Sequence, residues 1–281
     1  VVRTAAELRA AIAALRAGGH GIAFVPTMGA LHEGHLTLVR EAARGGDAPV
    51  VSVFVNPAQF GPGEDLSRYP RQEERDVALA GTAGARLVFC PGVEEVYPPG
   101  FATTVEVAGP AEGLEGARRP GHFAGVATVV ARLLLMVRPD RLLLGAKDAQ
   151  QVAVVRRMMR DLALDDVALE VVPTVREPDG LALSSRNAYL GPADRRAALA
   201  LSRGLAAAAA RAAAGERDGA RLEEAAAAVM HDEPGVEPDY TALVDPDTFR
   251  PVTRLTGAAL LCVAARVGPA RLIDNAPLVA A

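Results

Sequence analysis

Five short, largely apolar runs lie at residues 21–27, 49–57, 86–90, 141–145 and 167–173, with helix-like stretches between them. Strands that are apolar on both faces must be covered on both. Connections long enough to hold a helix let such strands lie parallel. The stretches between have the expected punctuation. Thr4 can cap a helix over residues 4–17, with Glu7 completing a capping box and Gly18 and Gly19 ending it. Further helices are expected over residues 35–44, 71–80, 125–139 and 147–162. Residues 1–174 therefore read as an α/β domain, a doubly wound Rossmann-like parallel sheet.

The pattern changes after Pro173. A polar segment leads to an Ala-rich helix expected to run from Pro192 to Gly215, then a second helix over residues 218–231 and strands at 239–245, 258–267 and 270–274. Residues 175–281 read as a smaller C-terminal α+β domain.

Charge and cysteine usage narrow the function. A formal net charge of −4 with no block of like charges argues against a nucleic-acid or membrane partner. Cys90 and Cys262 form no paired motif, which fits a reducing cytoplasmic compartment. The N-terminal stretch carries scattered charges and reads as neither a signal peptide nor a membrane span, and Arg211 interrupts the Ala-rich stretch. Of the 30 basic residues, 29 are Arg and one is Lys, Lys147.

The densest chemical signal is PTMGALHEGHLTLV, where the first strand meets a helix. Ligands of open α/β sheets bind at the carboxyl ends of strands, and a helix start favours phosphate. His32 and His35, on one face of the first turn, could donate to an α-phosphate as pyrophosphate leaves. Gly34 leaves room for a nucleotide. The alternatives are two histidines on a solvated helix end or half of a metal site, the latter lacking a third ligand at zinc spacing. In FVNPAQF, Asn56 and Gln59 are amides suited to a small polar substrate, or else an ordinary Asn-Pro turn. Tyr69 could cover a pocket. In RRPGHF, Arg118, Arg119 and His122 could supply cations for a carboxylate or phosphate. In GAKDAQQ, Lys147 offers a point charge to phosphate oxygens, Asp148 a ligand for Mg²⁺ or a ribose hydroxyl, and Gln151 lies one turn on. Ser184, Ser185 and Arg186 form a polar loop able to wrap a triphosphate, or an interdomain linker.

Taken together, PTMGALHEGH, FVNPAQF, RRPGHFAGVATVV, GAKDAQQ, PTVREPDGLALSSRN and RLIDN resemble the pantothenate synthetase (pantoate–β-alanine ligase) family of the nucleotidylyltransferase superfamily, in order and over nearly the whole chain. The resemblance implies ATP as substrate with Mg²⁺, a homodimer, and a C-terminal lid. It implies that pantoate and β-alanine are joined through an enzyme-bound pantoyl adenylate. It implies an ATP loop of Met28, Gly29, Ala30, Leu31, His32, Glu33, Gly34 and His35, with His35 the proton donor. It implies a second nucleotide segment of Gly145, Ala146, Lys147 and Asp148. It implies an adenine-side backbone contact from Val175 and a mobile phosphate loop of Leu183, Ser184, Ser185 and Arg186. It further implies that Gln59 and Gln151 bind pantoate and that Gln59 borders the β-alanine site. The chain departs from the family at Ala58, where a larger apolar residue is usual, and at Ala146, where Glu is common. Two rivals stay open: a related transferase with another acceptor, and a non-catalytic nucleotide-binding domain.

Overall fold

The computed structural model describes residues 1–280, and of Asp65 the backbone only. Five strands, β1 (Ile22–Thr27), β2 (Ala48–Val53), β3 (Leu87–Phe89), β4 (Arg141–Gly145) and β5 (Ala168–Val172), form one sheet in the order β3-β2-β1-β4-β5. Every pairing in it is parallel. The chain winds outward from β1 to β3, then returns to place β4 on the other side of β1. The order therefore reverses between β1 and β4, where a doubly wound sheet opens a crevice at its carboxyl edge.

The principal connecting helices are α1 (Ala5–Ala17), α2 (Glu33–Arg44), α3 (Glu73–Thr82), α6 (His122–Val137) and α7 (Ala149–Asp161). Between α3 and α6 lie two short helices that periodicity did not announce, α4 (Val93–Val96) and α5 (Leu114–Arg118). Thr4 caps α1 in a full capping box with Glu7. Helix α6 starts three residues earlier than expected because Gly121, at φ +82°, turns the chain into it. Helix α3 begins at Glu73 rather than residue 71. Lys147 and Asp148 lie in a 3-10 turn before α7, so the helix expected from 147 begins at Ala149. One core cluster packs Ala23, Val25 and Val51 of the sheet against Leu36, Val39 and Ala42 of α2. Each large aliphatic side chain so buried contributes about 1.5–3 kcal/mol.

The C-terminal part holds α8 (Pro192–Ala197), α9 (Leu199–Ala213), α10 (Gly219–His231) and an antiparallel sheet of β6 (Val236–Val244), β7 (Ala258–Val267) and β8 (Ala270–Val279), in that order. The single helix expected between Pro192 and Gly215 is divided at Ala198. There the chain keeps helical angles but tightens, with the Leu201 N–H bonded to the Ala198 carbonyl three residues back. Strand β8 continues past residue 274 to Val279 despite Pro277. As the edge strand it can spare that N–H. Ala200, Leu201, Leu205 and Ala208 of α9 and Leu222 and Ala226 of α10 pack with Leu261 and Val263 of β7.

By internal contacts the chain forms two compact units. The first comprises Val1–Ala146 and Val154–Pro173; the second comprises Lys147–Ala153 and the chain from Thr174 onward. No helix among the described residues is long and apolar enough to cross a membrane.

Candidate active site

In the first unit, the loop after β1 carries the two histidines. His32, in extended conformation, is the N-cap of α2, and its Nδ1 accepts from the Gly34 N–H at 3.2 Å. His35 is the third helical residue, and its Nδ1 accepts from the His32 N–H at 3.4 Å. This is a capping box with imidazoles in place of hydroxyl and carboxylate. A ring whose Nδ1 accepts carries its proton on Nε2 when neutral, so the cap selects one tautomer for both. The ring centroids lie 4.2 Å apart. Glu33, between them, pairs with Arg40 along the helix, which holds its carboxyl below the usual range.

The loop itself is held by a residue that the motifs did not single out. Asp76 of α3, 1% exposed, accepts from the Ala30 N–H at 2.9 Å and the Leu31 N–H at 2.8 Å. Gly29 has φ +79°, and a Cβ there would come within 2.9 Å of the Asp76 carboxylate. Ala30 is also left-handed, at φ +50°. The Gly29 N–H bonds Thr27 Oγ1, which donates to the Ser52 carbonyl on β2. The signal for Asp76 was present in the sequence: it lies on one helix face with Ala80, where an apolar residue would be ordinary.

After β2, Asn56 caps a 3-10 turn, Pro57–Gln59, and is 1% exposed. Its Nδ2 donates to Gln59 Oε1 at 2.9 Å and the Gly125 carbonyl at 3.2 Å. Its Oδ1 accepts from the Ala58 N–H and the Tyr97 hydroxyl. Burial pushes that phenol up to about 12. Asn56 is therefore engaged within the protein, and the reading of it as a substrate ligand gives way to an internal hub. Gln59 accepts the Asn56 bond at Oε1 and carries its side-chain donors on the amide nitrogen. Gly125 permits this packing, since a Cβ there would lie 2.1 Å from the Ala58 carbonyl oxygen. Tyr69 is buried edge-on against Phe60.

Of the cations expected at residues 118–122, Arg119 and His122 are engaged within the protein. Arg119 makes a bidentate pair with Glu64 (2.7 and 2.8 Å), and its Nη1 lies 3.0 Å from His122 Nε2. His122 Nδ1 donates to the Gln59 carbonyl at 2.9 Å. Burial, then the adjacent guanidinium, push the imidazole below its usual range, so it is a neutral support for the Gln59 backbone. The Arg119 hydrogen bonds hold the Glu64 carboxyl low.

In the second unit, Lys147 Nζ lies 3.5 Å from Asp148 Oδ1, with the lysine side chain 18% and the aspartate 51% exposed. The Lys147 carbonyl accepts from Asn275 Nδ2 at 2.9 Å. Gln151, in α7, is half-buried. Val175 and Leu183 form the base of a hairpin: the Leu183 N–H bonds the Val175 carbonyl, and Arg176 bridges to Ala182. Ser184 caps the 3-10 turn Ser185–Tyr189 by accepting from the Arg186 N–H. A Cβ at Gly145, which ends β4 in the first unit, would meet nothing within 4 Å. Among the described residues no cluster of three or more His, Cys, Asp or Glu side chains could hold a metal ion.

A doubly wound parallel sheet with paired imidazoles at the end of its central strand, beside its reversal point, defines an α/β protein with a ligand-binding crevice at the carboxyl edge of its sheet. The chain matches the Pantoate-beta-alanine ligase family over residues 1–277 and belongs to it. It is 56% identical to the pantothenate synthetase of Acidobacterium capsulatum over 285 residues, covering 97% of this chain and 94% of that one. The crystal structure of pantothenate synthetase from Thermus thermophilus superposes with a TM-score of 0.91 at 53% identity, covering 98% of each chain. That of pantoate-beta-alanine ligase from Francisella tularensis, complexed with beta-gamma ATP and beta-alanine, gives 0.77 at 31% identity, covering 98% of this chain and 96% of that one. The protein is thus a ligase.

Proposed function

We propose that this ligase condenses pantoate with β-alanine at the expense of ATP through a pantoyl adenylate, with His32, His35, Gln59, Lys147, Gln151, Ser184, Ser185 and Arg186 as the working groups. The observation that carries this reading is the double-imidazole cap at the carboxyl end of β1, which presents Nε2 protons where charge gathers on an α-phosphate. A pantoate carboxylate oxygen attacks the α-phosphorus. The bond to the bridging oxygen breaks, pyrophosphate leaves, and a mixed anhydride results. The neutral amine of β-alanine then attacks the acyl carbon, AMP leaves with its oxygen, and the amine proton is lost to form the amide. Neither step needs an enzyme nucleophile.

His35 donates to the α-phosphate and His32 supports it. Lys147 and Arg186 offset charge on the departing pyrophosphate, with Ser184 and Ser185 as hydroxyl donors. Gln59 and Gln151 hold pantoate, and Gln59 borders β-alanine. The backbone of residues 28–31, Gly145, Ala146, Val175 and Leu183 lines the nucleotide. Asp148, a single exposed carboxylate, suits a Mg²⁺ ion that arrives on the triphosphate rather than one caged by protein. Such an ion offsets phosphate charge. The second unit serves as a lid, since an anhydride must be kept from water. The homodimer rests on the family resemblance. The cytoplasmic location is favoured by cysteine usage, two buried residues, Cys90 and Cys262, in no paired motif.

The test is a turnover assay with pantoate, β-alanine and ATP. One AMP and one pyrophosphate should appear per amide formed. ADP and phosphate in their place would overturn the adenylate route.

A further inference from the structure

The terminal RLIDN segment belongs to the sequence signature but has no part in the chemistry above. It lies in β8, where Asp274 faces Val263 and Asn275 faces Cys262 across the ladder. Adjacent strand residues project to opposite faces, and here each face holds a different segment of the second unit. Asp274, 4% exposed, receives both terminal nitrogens of Arg176, at 2.7 and 2.9 Å. The same guanidinium donates to the Gly180 carbonyl at 3.0 Å, gripping the hairpin that leads into Ser184, Ser185 and Arg186. Asn275, 7% exposed, donates from Nδ2 to the Lys147 carbonyl at 2.9 Å, and its own N–H bonds Asp274 Oδ1 at 2.8 Å.

We propose that Asn275 is a positioning residue for Lys147. The proposal rests on the role given to Lys147 above. A 3-10 turn has weaker internal hydrogen bonding than an α-helix, so the direction in which its side chains leave depends on external anchors. The Asn275 amide fixes the peptide that follows the Lys147 Cα, and with it the origin of a four-carbon stem that carries the chain's one lysine ammonium. Asp274, the next residue back on the same strand, fixes the base of the phosphate-loop hairpin through Arg176. One dipeptide thus ties together the two charged elements that the second unit brings to the reaction.

The experiment is a double-mutant cycle of Asn275→Ala with Lys147→Ala, read by single-turnover pyrophosphate release and, separately, by conversion of supplied pantoyl adenylate with β-alanine. Asn275→Ala should slow pyrophosphate release about 10- to 100-fold, the scale of a misplaced catalytic group. Conversion of the supplied adenylate should stay within about twofold, as expected for a group that acts only in the first step. In the Lys147→Ala background the same substitution should cost nothing further. Multiplicative losses would show that Asn275 does not act through Lys147, while leaving the lysine's role intact. Wild-type release by Lys147→Ala would remove the lysine's role and the proposal with it. Equal loss of both half-reactions, with a lowered Tm, would make Asn275 a purely structural residue. Asn275→Ser, whose hydroxyl is too short to reach the Lys147 carbonyl, serves if the Ala variant fails to fold, and the ratio of the two half-reactions does not depend on the folded fraction.

Discussion

At the end of β1 the loop bearing His32 and His35 is anchored by an acceptor: the Asp76 carboxylate takes the N–H groups of Ala30 and Leu31. After β4 the turn bearing Lys147 is anchored by a donor: the Asn275 amide gives a hydrogen bond to a carbonyl. The two anchors have opposite polarity because the two backbones have opposite surpluses. A chain about to enter a helix has N–H groups without partners, and the approach to α2 begins with left-handed residues that turn them inward. A chain leaving a strand through a 3-10 turn has a carbonyl to satisfy. The first anchor carries a full charge and works through two short hydrogen bonds. The second is neutral and works through one. The loop should therefore lose more stability than the turn when its anchor is removed, whereas chemistry should suffer most at the side chain itself.

That last expectation gives the largest effect. Lys147→Arg keeps the charge but replaces a compact ammonium on a flexible stem with a planar fork. Pyrophosphate release should fall by about 10²- to 10³-fold, the usual cost of losing one preorganised donor, with Tm unchanged. Activity near wild type would mean that any cation suffices after β4, and that a neutral anchor there has little to position.

Asp76→Ala comes next. It leaves two N–H groups of a buried loop unmet and should lower the unfolding free energy by about 2–4 kcal/mol, read by urea denaturation, while raising the KM for ATP. Gly29→Ala strains the same loop from the other side. Its φ of +79° and the 2.9 Å approach to Asp76 should cost about 1–2 kcal/mol. If Asp76→Ala costs no more than Asn275→Ala, the difference between charged and neutral anchors is not what sets loop stability.

The same pair of anchors marks what could be read from the sequence. His32, His35 and Lys147 could be singled out as candidates because each sits beside a strand end that composition and punctuation locate. The parallel sheet was visible because its strands are apolar on both faces. Asp76 and Asn275 lie 45 and 128 residues from the nearest backbone groups they hold. Periodicity reports which face a residue occupies and says nothing of what arrives opposite it. Asn56 illustrates the converse. An amide beside a strand end reads as a ligand for substrate, and only the arrival of Gly125 and Tyr97 from elsewhere in the chain shows it to be engaged. The break in the Ala-rich helix at Ala198 was invisible for another reason: alanine tolerates both the regular and the tightened turn, so no residue marks the change.

His122 sharpens the comparison on the smallest scale, because one ring there carries both kinds of anchor: Nδ1 donates to the Gln59 carbonyl, and Nε2 accepts from Arg119. The bond from Arg119 requires the neutral imidazole, whereas the bond to the Gln59 carbonyl survives protonation, and burial followed by the neighbouring guanidinium moves the ring's proton affinity down from the ordinary 6.5. The folded protein then binds this proton less readily than the unfolded chain. The ring's contribution to stability is full above pH 6.5 and is lost as the pH falls from there toward the folded value. Glu64, also held low, begins to lose its contribution only as the pH falls through its ordinary 4.5, so the two windows are separate. Between pH 7.5 and 5.5, urea denaturation of the wild-type protein should show stability falling by no more than about 1.4 kcal/mol per pH unit for this one group. His122→Gln should flatten that slope while leaving the acid limb below pH 4.5 in place. Parallel slopes in the two proteins would show that the ring is not held neutral, and that Arg119 is balanced by Glu64 alone.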